Sequence, residues 1–254
     1  MTQKKLWIAF ALVVGISFAV LLYYGNQIYQ QAPPVPEQVT NEEGELLFTG
    51  QDIKDGQNIW QSIGGQEVGS IWGHGAYVAP DWTADYLHRE AQYLLNRWSQ
   101  EDLGKAFNQL TEVEQATMER RLQVFLRKNT YDETTSTLVI HSQRYDAFRE
   151  LYGHYAGLFM DEPALDELRA DYAIARNSIR SEDRMEKMAQ FFFWASWACV
   201  TERPGSDVTY THNWPPDEQI GNVPTSDLVL WTGFSIIMLL LGIGIMIFLQ
   251  ARTR

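Results

Sequence analysis

The chain has one cysteine, Cys199, among its 254 residues. A single thiol excludes a disulfide framework, a multi-thiolate zinc site and the covalent attachment of a c-type haem. Histidine is scarce as well: His74, His88, His141, His154 and His212 are the only five. No two of them stand at a metal-binding helical spacing with a carboxylate, so surface and capping roles are the commoner reading. Gly-x-Gly-x-x-Gly, a phosphate loop and Gly-x-Ser-x-Gly are all missing, and with them the signatures of dinucleotide, triphosphate and serine-hydrolase chemistry. Positive charge is short, with 20 Lys and Arg against 32 Asp and Glu and a net charge of −12. That balance argues against nucleic acid as a partner. Carboxylate pairs such as Glu42-Glu43 read as a solvated face. Nothing in the sequence assembles a catalytic constellation.

Two long apolar runs are present. Leu6–Tyr24 has nineteen residues without a charge, and Leu228–Leu249 has twenty-two. At a rise of about 1.5 Å per residue the first covers roughly 28 Å, the thickness of a bilayer's hydrocarbon layer. Backbone groups in lipid must be satisfied within their own segment, so both are predicted to be helices. The first run is long for a signal core, and GNQIYQQAPP after it offers no small-x-small cleavage site, which favours an uncleaved anchor. Lys4 and Lys5 precede the first run; Arg252 and Arg254 follow the second. Both ends are therefore expected in the cytoplasm, with residues 37–225 on the other side. The stretch between the two apolar runs, residues 25–227, holds the other 16 basic residues and all 32 acidic ones, a net charge of −16.

Ala32-Pro33-Pro34-Val35-Pro36 is a stiff exit linker. The pattern beyond it is mainly helical. Glu37–Gly56 reads as irregular and polar, followed by a short helix near 57–63. Trp82, Tyr86, Tyr93, Leu94 and Trp98 mark one apolar helix face with Asp81 or Thr83 as its cap, and Ser99 is placed to cap another short helix. Thr111-Glu112-Val113-Glu114 is a capping box that opens a helix to about Lys128, with Met118, Leu122 and Phe125 inward. Thr134–Ile140 is the one convincing strand. Helices are predicted over 142–159, 163–179 and 181–197, and Thr201–Thr225 as an ordered loop. Phe191-Phe192-Phe193-Trp194-Ala195-Ser196-Trp197-Ala198-Cys199 has no polar face, so it is either buried or laid on a membrane surface. Cys199 reads as packing, since no base or second thiol is near it in sequence. Tyr210–Pro216, just before the second apolar run, is placed to rest on a membrane-embedded partner.

The segments IWGHGAYVAPDWTADYLHRE and FFFWASWACVTERPGSDVTYTHNWPP, bracketed by the two apolar runs, resemble the amino-terminal part of quinol-dependent nitric oxide reductases. The resemblance covers nearly the whole chain. It implies a cytochrome-c-like extracytoplasmic domain without haem, held between two transmembrane helices in the bacterial inner membrane. It also implies a partner: a many-helix catalytic unit with haem b, haem b3 and non-haem iron, in the same polypeptide or a separate chain. That unit would use quinol electrons to reduce two nitric oxide molecules to nitrous oxide and water, and this chain would be a non-catalytic module capping its haem side. The ligand histidines of the family lie in helices beyond Arg254, and fragment and split subunit both remain open. In the branch that accepts electrons from cytochrome c, a similar Gly-x-Gly-Ala-Tyr segment follows a Cys-x-x-Cys-His haem motif. Counted back from Gly73-His74-Gly75-Ala76-Tyr77, the two cysteine positions fall on Gly65 and Val68 and the histidine on Gly69. The resemblance further makes Gly75 and Tyr77 candidates for contact with a haem-propionate edge or a calcium ion there. A two-span extracytoplasmic sensor or an assembly protein is the alternative.

Overall fold

The computed structural model describes residues 3–252; Arg254, one of the basic residues used for orientation, lies outside them. The chain divides into two compact units at Pro34/Val35. The first is α1 (Gln3–Gln30), no residue of which is buried. The helix continues past the apolar run at both ends, and its length of about 42 Å follows from the rise per residue.

The second unit begins with β1 (Gln38–Thr40), β2 (Leu46–Thr49) and α2 (Gly50–Ser62). The segment read as irregular is thus two strands and most of a helix. Each strand is too short to show alternation, while α2 starts at a capping box: Thr49 Oγ1 accepts from Asp52 N and Asp52 Oδ2 accepts from Thr49 N, 2.9 Å away. A two-strand hairpin follows, β3 (Ser70–Ile71) and β4 (His74–Gly75), then α3 (Trp82–Leu103). Ser99 does not open a new helix. It lies inside α3, and its hydroxyl donates to the Asn96 carbonyl one turn back. The Thr111 capping box is present and opens α4 (Glu112–Arg127), with Met118, Leu122 and Leu126 buried and Phe125 half-buried.

β5 (Tyr131–Asp132) and β6 (Thr137–Val139) complete a four-stranded sheet in the order β2-β1-β6-β5. β1 runs antiparallel to β2, with Val39 opposite Phe48, and parallel to β6, with Val39 beside Leu138. The one strand read from the sequence, Thr134–Ile140, is therefore shorter than expected and shares its sheet with three others. Next come α5 (Ser142–Phe159), α6 (Asp166–Asp171), α7 (Glu182–Val200) and α8 (Ser226–Arg252). The long helix expected over 163–179 stops at Asp171, and Ala173 and Asn177 adopt left-handed backbone. Arg169 holds this turn, donating to the carbonyls of Gly157 and Glu162 at 2.7 and 2.6 Å.

Helix α7 settles the question its sequence left open. Every residue from Met188 to Val200 is buried, so the aromatic run is the core of the domain and not a membrane-surface face. Trp82, Tyr86, Tyr155, Phe159, Phe192 and Phe193 form one interlocked cluster, with Trp82 stacked on Phe192 at 5.8 Å and Tyr86 on Tyr155 at 6.0 Å. Edge and stacked contacts of this kind add about 0.5–1.5 kcal/mol per pair to ordinary burial. One ionic pair is sealed beside it: Arg144 grips Glu90 through Nε and Nη2 at 2.7 and 3.2 Å, and the Glu90 side chain is fully buried. By contrast, α8 has no buried residue, and both α1 and α8 are long and apolar enough to cross a membrane.

Candidate docking surface

Two loops carry the residues singled out by the sequence. The first runs from Gly64 through the β3-β4 hairpin to Asp81. Asp81 is its hub. One carboxylate oxygen caps α3, accepting from Thr83 N at 3.0 Å and Ala84 N at 3.1 Å, with the Thr83 hydroxyl also bonded to it. The other oxygen accepts from Ser70 Oγ at 2.7 Å and Gly73 N at 2.8 Å. A single carboxylate thus joins a helix terminus to a hairpin turn, both positions where backbone donors have no other partner. Further ties are Ser70 N to the Pro80 carbonyl, Ala76 N to the Gln66 carbonyl at 2.7 Å, and the Trp72 indole donating to the Ala195 carbonyl at 2.9 Å.

Gly75 lies in β4 at φ 151°, and a Cβ there would overlap the Gly69 carbonyl oxygen. Only glycine fits. Tyr77 follows two residues later and is 97% exposed. The structure therefore brings Gly75 and Tyr77 onto one tied-down hairpin, with the Gly75 backbone inside the ladder and the Tyr77 ring in solvent.

The second loop, Thr201–Thr225, has Arg127 at its centre. Its guanidinium donates to Glu202 Oε1 at 2.8 Å, to the Gly221 carbonyl at 2.9 Å, to Asn222 Oδ1 at 3.0 Å and to the Asp207 carbonyl at 2.6 Å. Asn213 takes the Thr209 amide at 3.1 Å and donates to the Val223 carbonyl at 3.0 Å, while Asn222 reaches the carbonyls of Cys199 and Pro215. His212 and Asn213 have left-handed backbone, and Trp214-Pro215 is cis. The two loops touch: a side chain on Gly73 would meet the Trp214 ring at 3.2 Å.

The back-counted haem positions offer neither thiol nor imidazole. Gly69 adopts φ 92°, and a Cβ there would meet Trp82 Nε1 at 2.5 Å and the Pro80 carbonyl at 2.6 Å. The Trp82 indole, which donates to the Val68 carbonyl at 2.9 Å, occupies the space beside this turn. A covalently held haem does not fit these residues. Cys199 is fully buried, and burial pushes its thiol well above the ordinary range, the setting of a packing cysteine. The histidines are dispersed: His74 is exposed on the hairpin, His212 sits near Arg203 in the second loop, His141 caps α5, and His88 and His154 line a groove between α3 and α5. Among the described residues no three His, Cys, Asp or Glu gather into a metal-binding group. A calcium ion needs six to eight oxygens, so Gly75 and Tyr77 could supply only part of its shell.

Asp81 is legible in the sequence as a cap, but the reach of its second oxygen is not. Arg127 gives no local signal, since its partners lie 75 to 95 residues away. No curated protein matches the chain. Among protein families, residues 36–216 match the NorB cytochrome c-like domain of nitric oxide reductase. That stretch contains the sheet, α2 to α7 and most of both loops, so the chain belongs to the NorB family of nitric oxide reductases through its cytochrome c-like domain, here flanked by two apolar helices.

Proposed function

We propose that this chain is the haem-free, non-catalytic module of a quinol-oxidising nitric oxide reductase, and that the β3-β4 hairpin with loop 201–225 is its contact face for the haem-bearing membrane unit. The observation that carries this is Tyr77: a large side chain left almost wholly in solvent on a hairpin whose backbone is fixed by Asp81, Pro80 and Gln66. Rigid exposed aromatics are the usual anchors of interfaces. Loop 201–225 runs straight into α8, which supports a position at the membrane surface.

In this reading electrons bypass the domain. Quinol in the membrane unit gives up two electrons and two protons, and two nitric oxide molecules become nitrous oxide and water there. The phenol O–H of Tyr77 would donate to a haem propionate of that unit, with the Gly75 backbone facing the same edge. A calcium ion at the edge, with backbone carbonyls among its ligands, is part of the same proposal. Lys4, Lys5 and Arg252 support cytoplasmic ends in the inner membrane and a periplasmic or extracellular domain.

The test is quinol-driven nitric oxide consumption by the assembled enzyme carrying Tyr77→Phe. Lower turnover or a shifted haem midpoint potential, with an unchanged melting profile, is the expected result. Wild-type turnover and potential would remove Tyr77 from the contact.

A further inference from the structure

A pocket of about 640 Å³ lies between the second half of α4, β6 and the start of α5. Its size is that of small-molecule sites, roughly 300–1,000 Å³. Val124, Phe125, Val139 and Ile140 give it an apolar lining, and Val124 is 58% exposed. Four of its seven polar lining residues are cationic, Arg120, Arg121, Lys128 and Arg144; the others are Thr130, His141 and one carboxylate, Glu42. A domain of net charge −15 (residues 37–225) has thus placed four of its 16 basic residues around one concavity.

Local pairing does not account for all four. Arg144 is held by Glu90 and is 7% exposed, and its Nη1 takes no part in that pair. Arg121 pairs with Asp102 at 2.7 Å and lies 4.3 Å above the Trp98 ring. Glu42 accepts from Ser142 N and faces His141 Nε2 at 3.6 Å. Arg120 bonds only the neutral Gln123 side chain, and Lys128 makes no ion pair among the described residues. Four cations against Glu42, Glu90 and Asp102 leave an excess of one positive charge among the arginines, lysine and carboxylates. Guanidinium groups match carboxylates in geometry, and a pre-fixed buried arginine loses little freedom on binding.

We infer that this pocket binds an organic monocarboxylate with an apolar body, its charge between Arg120, Lys128 and Arg144 and its body against Phe125 and Ile140. The inference is independent of the nitric oxide reductase assignment.

The test uses the full chain in lipid nanodiscs and 2-naphthoate as probe, followed by calorimetry and by saturation-transfer NMR, with empty nanodiscs as the partition control. Saturable one-to-one binding is expected, at least tenfold tighter than for the neutral 2-naphthamide. It should weaken at least tenfold in Arg120→Ala/Lys128→Ala. Val124→Asp, which adds a negative charge to the lining, should weaken it likewise. These three positions are exposed, and unchanged circular dichroism will show that the variants fold. No binding, equal affinity for the amide, indifference to the substitutions, or a signal matched by empty nanodiscs would each overturn the inference.

Discussion

Asp81 offers the sharpest perturbation because its two oxygens serve different elements. Asp81→Asn keeps one oxygen, and asparagine is as good a helix cap as aspartate. The Oδ1 role toward Thr83 N and Ala84 N can therefore survive. The second position becomes an NH₂ group, which cannot accept from Gly73 N or Ser70 Oγ. Hydrogen bonds to charged groups are worth about 1.5–3 kcal/mol, and the exposed Gly73 end belongs at the low end of that range. A loss of about 1.5 kcal/mol at the turn is a little over tenfold in its opening equilibrium. Asp81→Ala removes the cap too, about 1 kcal/mol more, and should loosen the start of α3 as well. Amide exchange on the full chain reads both effects. In Asp81→Asn, Gly73 and Ala76 should exchange about tenfold faster while Asp85 and Tyr86 hold their rates. In Asp81→Ala all four should accelerate. Equal changes in hairpin and helix in the asparagine variant, or no change in either, would refute the view that one carboxylate fixes the hairpin independently of the cap.

Glu90→Gln should cost about 3–5 kcal/mol in chemical denaturation, because it leaves Arg144 charged and buried, whereas Glu90→Leu/Arg144→Met should recover most of that loss. His154 has a pKa below its ordinary 6.5, first from burial and then from Arg89, with Asp85 opposing. The unfolded chain therefore takes up the proton before the folded one, so this contribution to stability is complete above pH 6.5 and is lost as pH falls through the folded value. The melting temperature should drop between pH 7.5 and 5.5 more steeply in the wild type than in His154→Gln. Cys199 should resist iodoacetamide in the folded chain and react fully in denaturant; rapid labelling of the native chain would place it outside the core.

Long, strongly patterned elements were legible in the sequence, and short or non-local ones were not. Of the α3 face read from the sequence, Trp82, Tyr86, Leu94 and Trp98 are buried and Tyr93 is half-buried, and Thr111 caps α4 through Glu114. Strands of two to four residues carry no periodicity, which hid β1 and β2 inside a polar stretch. The helix expected over 163–179 ends at Asp171, with left-handed backbone at Ala173 and Asn177, while Arg169 ties α6 to α5 carbonyls, contacts that no local pattern reports. Gly75 and Tyr77 are singled out by the family resemblance alone, yet what fixes their hairpin is Asp81, whose second oxygen reaches eight residues back to Gly73. The aromatic run of α7 was ambiguous because an all-apolar helix suits a protein core and a membrane surface alike. Burial against Trp82, Tyr155 and Phe48 decided it.

The most direct test is a pyridine haemochrome spectrum of the material that co-purifies with the tagged chain from native membranes, together with its quinol-driven nitric oxide consumption. Non-covalent b-type haem in the complex, none bound covalently to the 29.2 kDa segment, and turnover with quinol are the expected results. A c-type haem attached to this segment, or a chain that leaves the membrane with no haem protein at its side, would contradict the proposal.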